Sequence, residues 1–265
     1  MADEEAGRLT VSDQFNCMRN IVLCLLAAAT LAEAESYQPY SVEEGIEVVD
    51  IVTTIPGGRF DAVFVWPQAV GGESERAIAD SINSQLSYET VLGESMEDIS
   101  SQFQEFQAGI TGSDYSVNAL TDNVLDITIT VDYLGAYPSR GEFYFTFDLE
   151  NGSRIIPEDL FNQDNLDQLV EILDEELQVR IENELEVETP DGESRLLPQG
   201  DPLFSQHFTE DDLVNCSITE DGIVFRHEFG FPHAIKAHEP DGAILVPWEE
   251  LSDYLSITGN GYRLR

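Results

Sequence analysis

Four histidines, His207, His227, His233 and His238, fall in the last sixty residues of the chain, with Glu228, Glu239 and Asp241 among them. Imidazoles and carboxylates are the ligands that a metal such as zinc takes, and a bound zinc would activate water for hydrolysis. Two or three of these side chains meeting in space would suit a metal-dependent hydrolase of the cell envelope. Their spacing matches no ligand motif, and histidines satisfied in the core or at the surface are the competing reading. No metal ligand is assigned on this basis, and no cofactor is expected. Cys216 lies in the strand-like run Leu213-Val214-Asn215-Cys216-Ser217-Ile218 with no nucleophile motif around it, and reads as a core thiol. The chain has no G-x-S-x-G elbow, Walker loop, G-x-G-x-x-G, H-E-x-x-H or EF-hand loop. Carboxylate pairs are so common here that none marks an acid–base site. No catalytic residue is assigned.

Charge narrows the classes further. Fifty-two acidic residues oppose 12 basic ones, for a net charge of −40, and Lys236 is the only lysine. A nucleic-acid backbone needs a basic stripe, and an anionic membrane surface needs a basic patch; the sequence offers neither. Three readings of the acidity remain: a solvated surface suited to salty surroundings, electrostatic steering towards a basic protein, and a set of cation sites. The chain is 42% hydrophobic and 9% aromatic, enough for a proper core.

The elements that must position any site are legible from periodicity. Residues 125–150 alternate over two strands. Leu125, Ile127, Ile129, Val131 and Tyr133 share one face, continued by Phe143, Phe145, Phe147 and Leu149 after a turn at 135–141. Asp126, Thr128, Thr130 and Asp132, with Tyr144 and Thr146, take the other face. If helices cover only the apolar face, this polar one is open to solvent and is a candidate ligand platform; an ordinary wet sheet face is the plainer reading. A strand is expected at 59–66 and another at 115–120. A helix at 73–91 would bury Ile78, Ile82 and Leu86 and start from Ser74. Ser95 and Asp98 signal a second helix carrying Met96, Ile99, Phe103 and Phe106. The longest helix, 164–185, has the stripe Leu166, Leu169, Val170, Leu173, Leu177, Ile181 and Leu185, opposite an acidic face. Residues 189–200 read as an exposed polar loop. A second hairpin follows around Asp221-Gly222, then a strand at 243–246 and a helix opened by Pro247. The fold class is α+β: an antiparallel sheet with helices packed on one face, in one lobe or in two sub-lobes.

The N-terminus has the pattern of an export signal. After Met18-Arg19-Asn20 comes an apolar run, 21–31, closed by Ala32-Glu33-Ala34. This predicts a signal peptide over 1–34 cleaved between Ala34 and Glu35, with Met18 the natural start. The run is too short for a membrane span, so no span is expected after cleavage. The localisation expected is secreted or periplasmic.

Several segments together resemble a known family. Asp148-Leu149, Gly152, Asp159-Leu160-Phe161, the Asp-Gly hairpin, Phe229 and Pro247-Trp248-Glu249-Glu250-Leu251 are similar to the extracytoplasmic domain of the anti-sigma factor RsiV and the accessory domain of the peptidoglycan deacetylase PdaC. The resemblance divides the chain into an extended leader over 35–58, an N-terminal part over 59–162, a C-terminal part over 163–256 and a tail over 257–265. It implies an α+β fold and a non-enzymatic binding module of the bacterial cell envelope. The partner it implies is a basic protein such as lysozyme, or cell-wall glycan. The segment 231–238 departs from the family pattern, so no ligand contact is carried over there.

Overall fold

The structure is a computed structural model that describes residues 45–186, 205–231, 236 and 239–262. The expected signal peptide with Ala34 and Glu35, the loop at 189–200, His233 and His238 lie outside the described residues. No helix among the described residues is long and apolar enough to cross a membrane.

Five strands form the main sheet in chain order: β1 (Ile46–Ile55), β2 (Ala62–Gly71), β3 (Gly109–Leu120), β4 (Val124–Leu134) and β5 (Pro138–Asp148). The β1–β2, β3–β4 and β4–β5 pairs are antiparallel, as expected, but β2 and β3 run parallel. The reason is the connection between them. Three helices, α1 (Arg76–Gln85), α2 (Tyr88–Leu92) and α3 (Met96–Phe106), carry the chain back along the sheet, so β3 re-enters in the direction of β2.

The apolar alternation of the β4–β5 hairpin lies under these helices. Leu125, Ile127, Ile129, Val131 and Phe147 have no exposed surface and pack with Trp66, Ile82 and Leu86. Each such side chain contributes about 1.5–3 kcal/mol through burial. Ile55, Phe64, Ile99 and Phe103 form an adjoining cluster. The segment read as one helix over 73–91 is two. Ser87 caps α2 by accepting the Thr90 N–H, which interrupts the helix after Gln85. Ser74 is not the cap of α1; its hydroxyl donates to Glu75 instead. Ser95 does cap α3, accepting the Asp98 N–H at 3.1 Å. Phe106, at the end of that helix, is exposed rather than core.

A second layer follows. It holds α4 (Pro157–Leu160), α5 (Leu166–Glu186), β6 (Cys216–Ile218), β7 (Gly222–Arg226), β8 (Ala243–Pro247), α6 (Trp248–Leu251) and α7 (Ile257–Gly261). β6, β7 and β8 make an antiparallel sheet of three strands. The α5 stripe of Leu166, Leu169, Leu173, Leu177 and Ile181 is buried with Ile223, Phe225, Phe229 and Trp248. Val124 of β4 belongs to this same core, so the hairpin joins both layers. The described residues all fall within one compact unit.

Candidate functional site

The polar face of the β4–β5 hairpin is not an open platform. β6 lies across it, and Asp126, Thr128, Thr146 and Tyr144 are buried. Asp126 Oδ2 accepts from the Thr146 hydroxyl at 2.5 Å and from the Ile218 N–H of β6 at 2.9 Å. Its Oδ1 accepts from Asn118 Nδ2 at 2.7 Å, which also reaches Thr128 Oγ1 at 2.8 Å. These bonds replace the water that a wet face would have used. Burial pushes the Asp126 pKa up, against those hydrogen bonds and the nearby charge of Arg226. Only Thr130 and Asp132 of the expected platform keep part of their surface, and Asp132 holds Arg140 Nε at 2.9 Å. The polar residues at 126, 128, 144 and 146 are therefore a seam between layers.

What remains open lies along β5, the last strand of the main sheet. A cleft of ≈ 490 Å³ separates its start from the far end of β7. Three cations line it, Arg140, Arg226 and Lys236, together with four carboxylates, Glu142, Glu228, Glu239 and Asp241. Arg226 stacks 4.5 Å above the Tyr144 ring and donates to Ser217 Oγ at 3.0 Å. The Tyr144 hydroxyl donates to Glu142 at 2.5 Å; burial first, and this bond second, raise its pKa. Lys236 sits 3.8 Å from Glu239. Gly242 leaves room for the His227 carbonyl, 2.1 Å from where a β-carbon would stand, which lets β8 pass close to the strand beside it. Further along β5, Tyr144 and Thr146 also border a second cleft of ≈ 450 Å³, whose walls are mainly aliphatic.

The two described histidines each meet one carboxylate. His207 Nδ1 is 3.1 Å from Asp174, and His227 Nδ1 is 3.3 Å from Asp212. The His227 side chain has no exposed surface, and its Nε2 is 3.1 Å from the Ser205 carbonyl. Burial alone would lower the His227 pKa, but Asp212 and that carbonyl outweigh it and raise it. Asp212 is correspondingly held below the usual carboxylate range, its burial outweighed by the bond to His227. Among the described residues, no three histidine, cysteine or acidic side chains gather as a metal-ligand set. Cys216 is buried and free, and burial pushes its thiol up to about 12, which leaves no thiolate for attack near neutral pH.

Arg140, Arg154, Arg226, Glu142 and Glu228 were not legible as site residues. The available signal was scarcity: with 12 basic residues in the chain, several sharing one strand edge is notable. Only folding brings Arg140, Glu142 and Tyr144 beside Arg226, Glu228, Lys236 and Asp241.

No protein-family model matches the chain, and no curated protein matches it. Solved structures do. The fold is shared with a DUF3298 family member from Bacteroides fragilis (TM-score 0.50, 15% identity, covering 81% of this chain and 94% of that one). A DUF3298 family protein from Pseudomonas aeruginosa aligns equally well (TM-score 0.50, 10% identity, covering 81% of this chain and 95% of that one). At these identities the likeness is one of fold.

Proposed function

On the premise of the fold shared with DUF3298 proteins, we propose that this chain is an exported, non-enzymatic binding module of the bacterial cell envelope. Its ligand is cell-wall glycan, held in the cleft between β5 and β7. The observation that carries this reading is the lining of that cleft. Donors (Arg140, Arg226, Lys236) stand among acceptors (Glu142, Glu228, Glu239, Asp241). A saccharide hydroxyl both donates and accepts, so it uses such a mixed lining fully. A nucleic acid would be repelled by the carboxylates, and a cationic peptide by the arginines. The resemblance to the RsiV and PdaC domains supports the envelope setting, and the bacterial source of both structural neighbours agrees with it.

The competing ligand is a basic protein such as lysozyme, drawn by the net charge of −40. Charge steering of that kind fades as salt screens it, whereas hydrogen bonds within a cleft persist. The test is sedimentation of the purified chain with insoluble peptidoglycan, and capture by immobilised lysozyme, at about 20 mM and about 500 mM NaCl. Retention on peptidoglycan at both salts, weakened at least about tenfold in an Arg140→Ala/Glu228→Gln variant, is expected. Both residues have exposed side chains, so the fold should survive their loss. Binding to lysozyme alone would refute the glycan reading, and binding to neither would refute the module.

A further inference from the structure

The second cleft along β5 differs in kind from the first. Ile155, Ile156, Pro157, Leu160 and Val214 give it aliphatic walls, and Ile156 and Val214 stand exposed at 43% and 51%. Isolated apolar side chains at a surface are ordinary, but two bordering one cavity of ≈ 450 Å³ make a cleft of ligand size. The charged lining is Arg154 and Glu158. The Arg154 guanidinium lies 4.7 Å over the Phe145 ring, and its Nη2 donates to the Tyr144 carbonyl at 2.9 Å.

Arg154 has no carboxylate within ion-pair distance among the described residues. Arg140, Arg180 and Lys236 have one; Arg59, Arg76 and Arg226, like Arg154, have none among those residues. What sets Arg154 apart is its place on the wall of an aliphatic cleft. Burial lowers its pKa, and no carboxylate opposes that shift. The residue is exposed and lines the cleft. A guanidinium has five N–H donors, and stacking plus one carbonyl leaves most of them free for an oxyanion.

We propose that this cleft binds a small amphipathic carboxylate, its aliphatic chain against Ile155, Ile156, Leu160 and Val214 and its carboxylate on Arg154. The site is independent of the glycan reading: it uses other walls, and the two clefts share Tyr144 alone. The net charge of −40 opposes any anion at long range, so the preference must come from the local pair, and screening by salt reduces the opposition. Glu158, on the same wall, sets a second condition: a ligand cation could bind there instead, and the test separates the two.

Octanoate, octanol and octylammonium are titrated up to about 10 mM into the full chain at moderate salt, with binding followed by chemical-shift changes. Octanoate should bind at least about tenfold more tightly than octanol, the difference expected of one charge-assisted hydrogen-bonded pair. Arg154→Gln should abolish that preference while leaving octanol binding unchanged. Val214→Asp, at an exposed rim position, should weaken both ligands without loss of the folded spectrum. No shift with octanoate, equal binding of octanol, or tighter binding of octylammonium would each overturn the proposal. Peptidoglycan retention is unaffected by any of these results, so the two readings fail separately.

Discussion

Asp126 is a carboxylate with no exposed surface, placed where two sheets meet. It accepts hydrogen bonds from Asn118, Thr146 and the backbone of Ile218, three donors from three different strands or connections. A carboxyl group buried in this way costs desolvation and is tolerated only when its oxygens are filled. Removing it leaves the Thr146 hydroxyl and the Ile218 N–H buried without that partner, at about 1–3 kcal/mol each, while Asn118 keeps Thr128. Asp126→Ala is therefore expected to destabilise the fold by about 2–5 kcal/mol. Urea unfolding at neutral pH would show it as a lower midpoint with an unchanged slope. A loss under about 1 kcal/mol would mean that the seam is not holding the layers together. Alternation alone placed Asp126 on the polar face of its strand. It could not say whether water or another sheet would fill that face, because both satisfy the same residues.

At the scale of elements, the exit of β5 shows how one turn fixes two layers. Gly152 has φ +73°, and its amide donates to the Asp148 carbonyl at 2.7 Å. Its own carbonyl accepts from Ser81 and Gln85 of α1, at 2.9 and 2.8 Å. A β-carbon at Gly152 would stand 2.7 Å from the Ile78 carbonyl. Asn-Gly is a strong turn signal, and the chain does turn at 149–151. The close approach of α1, which makes the glycine necessary, is a long-range contact and left no trace in local sequence. Gly152→Ala should cost about 2 kcal/mol or more, combining left-handed backbone strain with the clash. Thermal unfolding would report it as a drop of about 4 °C or more in Tm. An unchanged Tm would show that α1 shifts freely against the turn. The helix expected over 73–91 failed at the same scale, since Ser87 offers a cap as good as one more helical turn.

Over the whole molecule, the excess of acid is a property of the exterior and of the unfolded chain alike. Compact folding brings like charges closer, so self-repulsion works against it at low salt. Raising NaCl from about 50 mM to about 500 mM shortens the screening length and should raise the Tm by about 5 °C. Scanning calorimetry across that series would check it, and a flat or falling Tm would show that the acids are spaced widely enough not to interact. Local chemistry in the sequence sufficed for the class of fold: period two for β4 and β5, the apolar stripe of α5, the Ser95 cap and the Asp-Gly turn each depend on neighbours along the chain. The tertiary structure alone decided that β2 and β3 run parallel, that β6 closes the hairpin's polar face, and that Arg140, Arg154 and Arg226 share the edge of β5. Those outcomes rest on which surfaces meet, and residues roughly 50 to 90 positions apart carry no periodic signal for that.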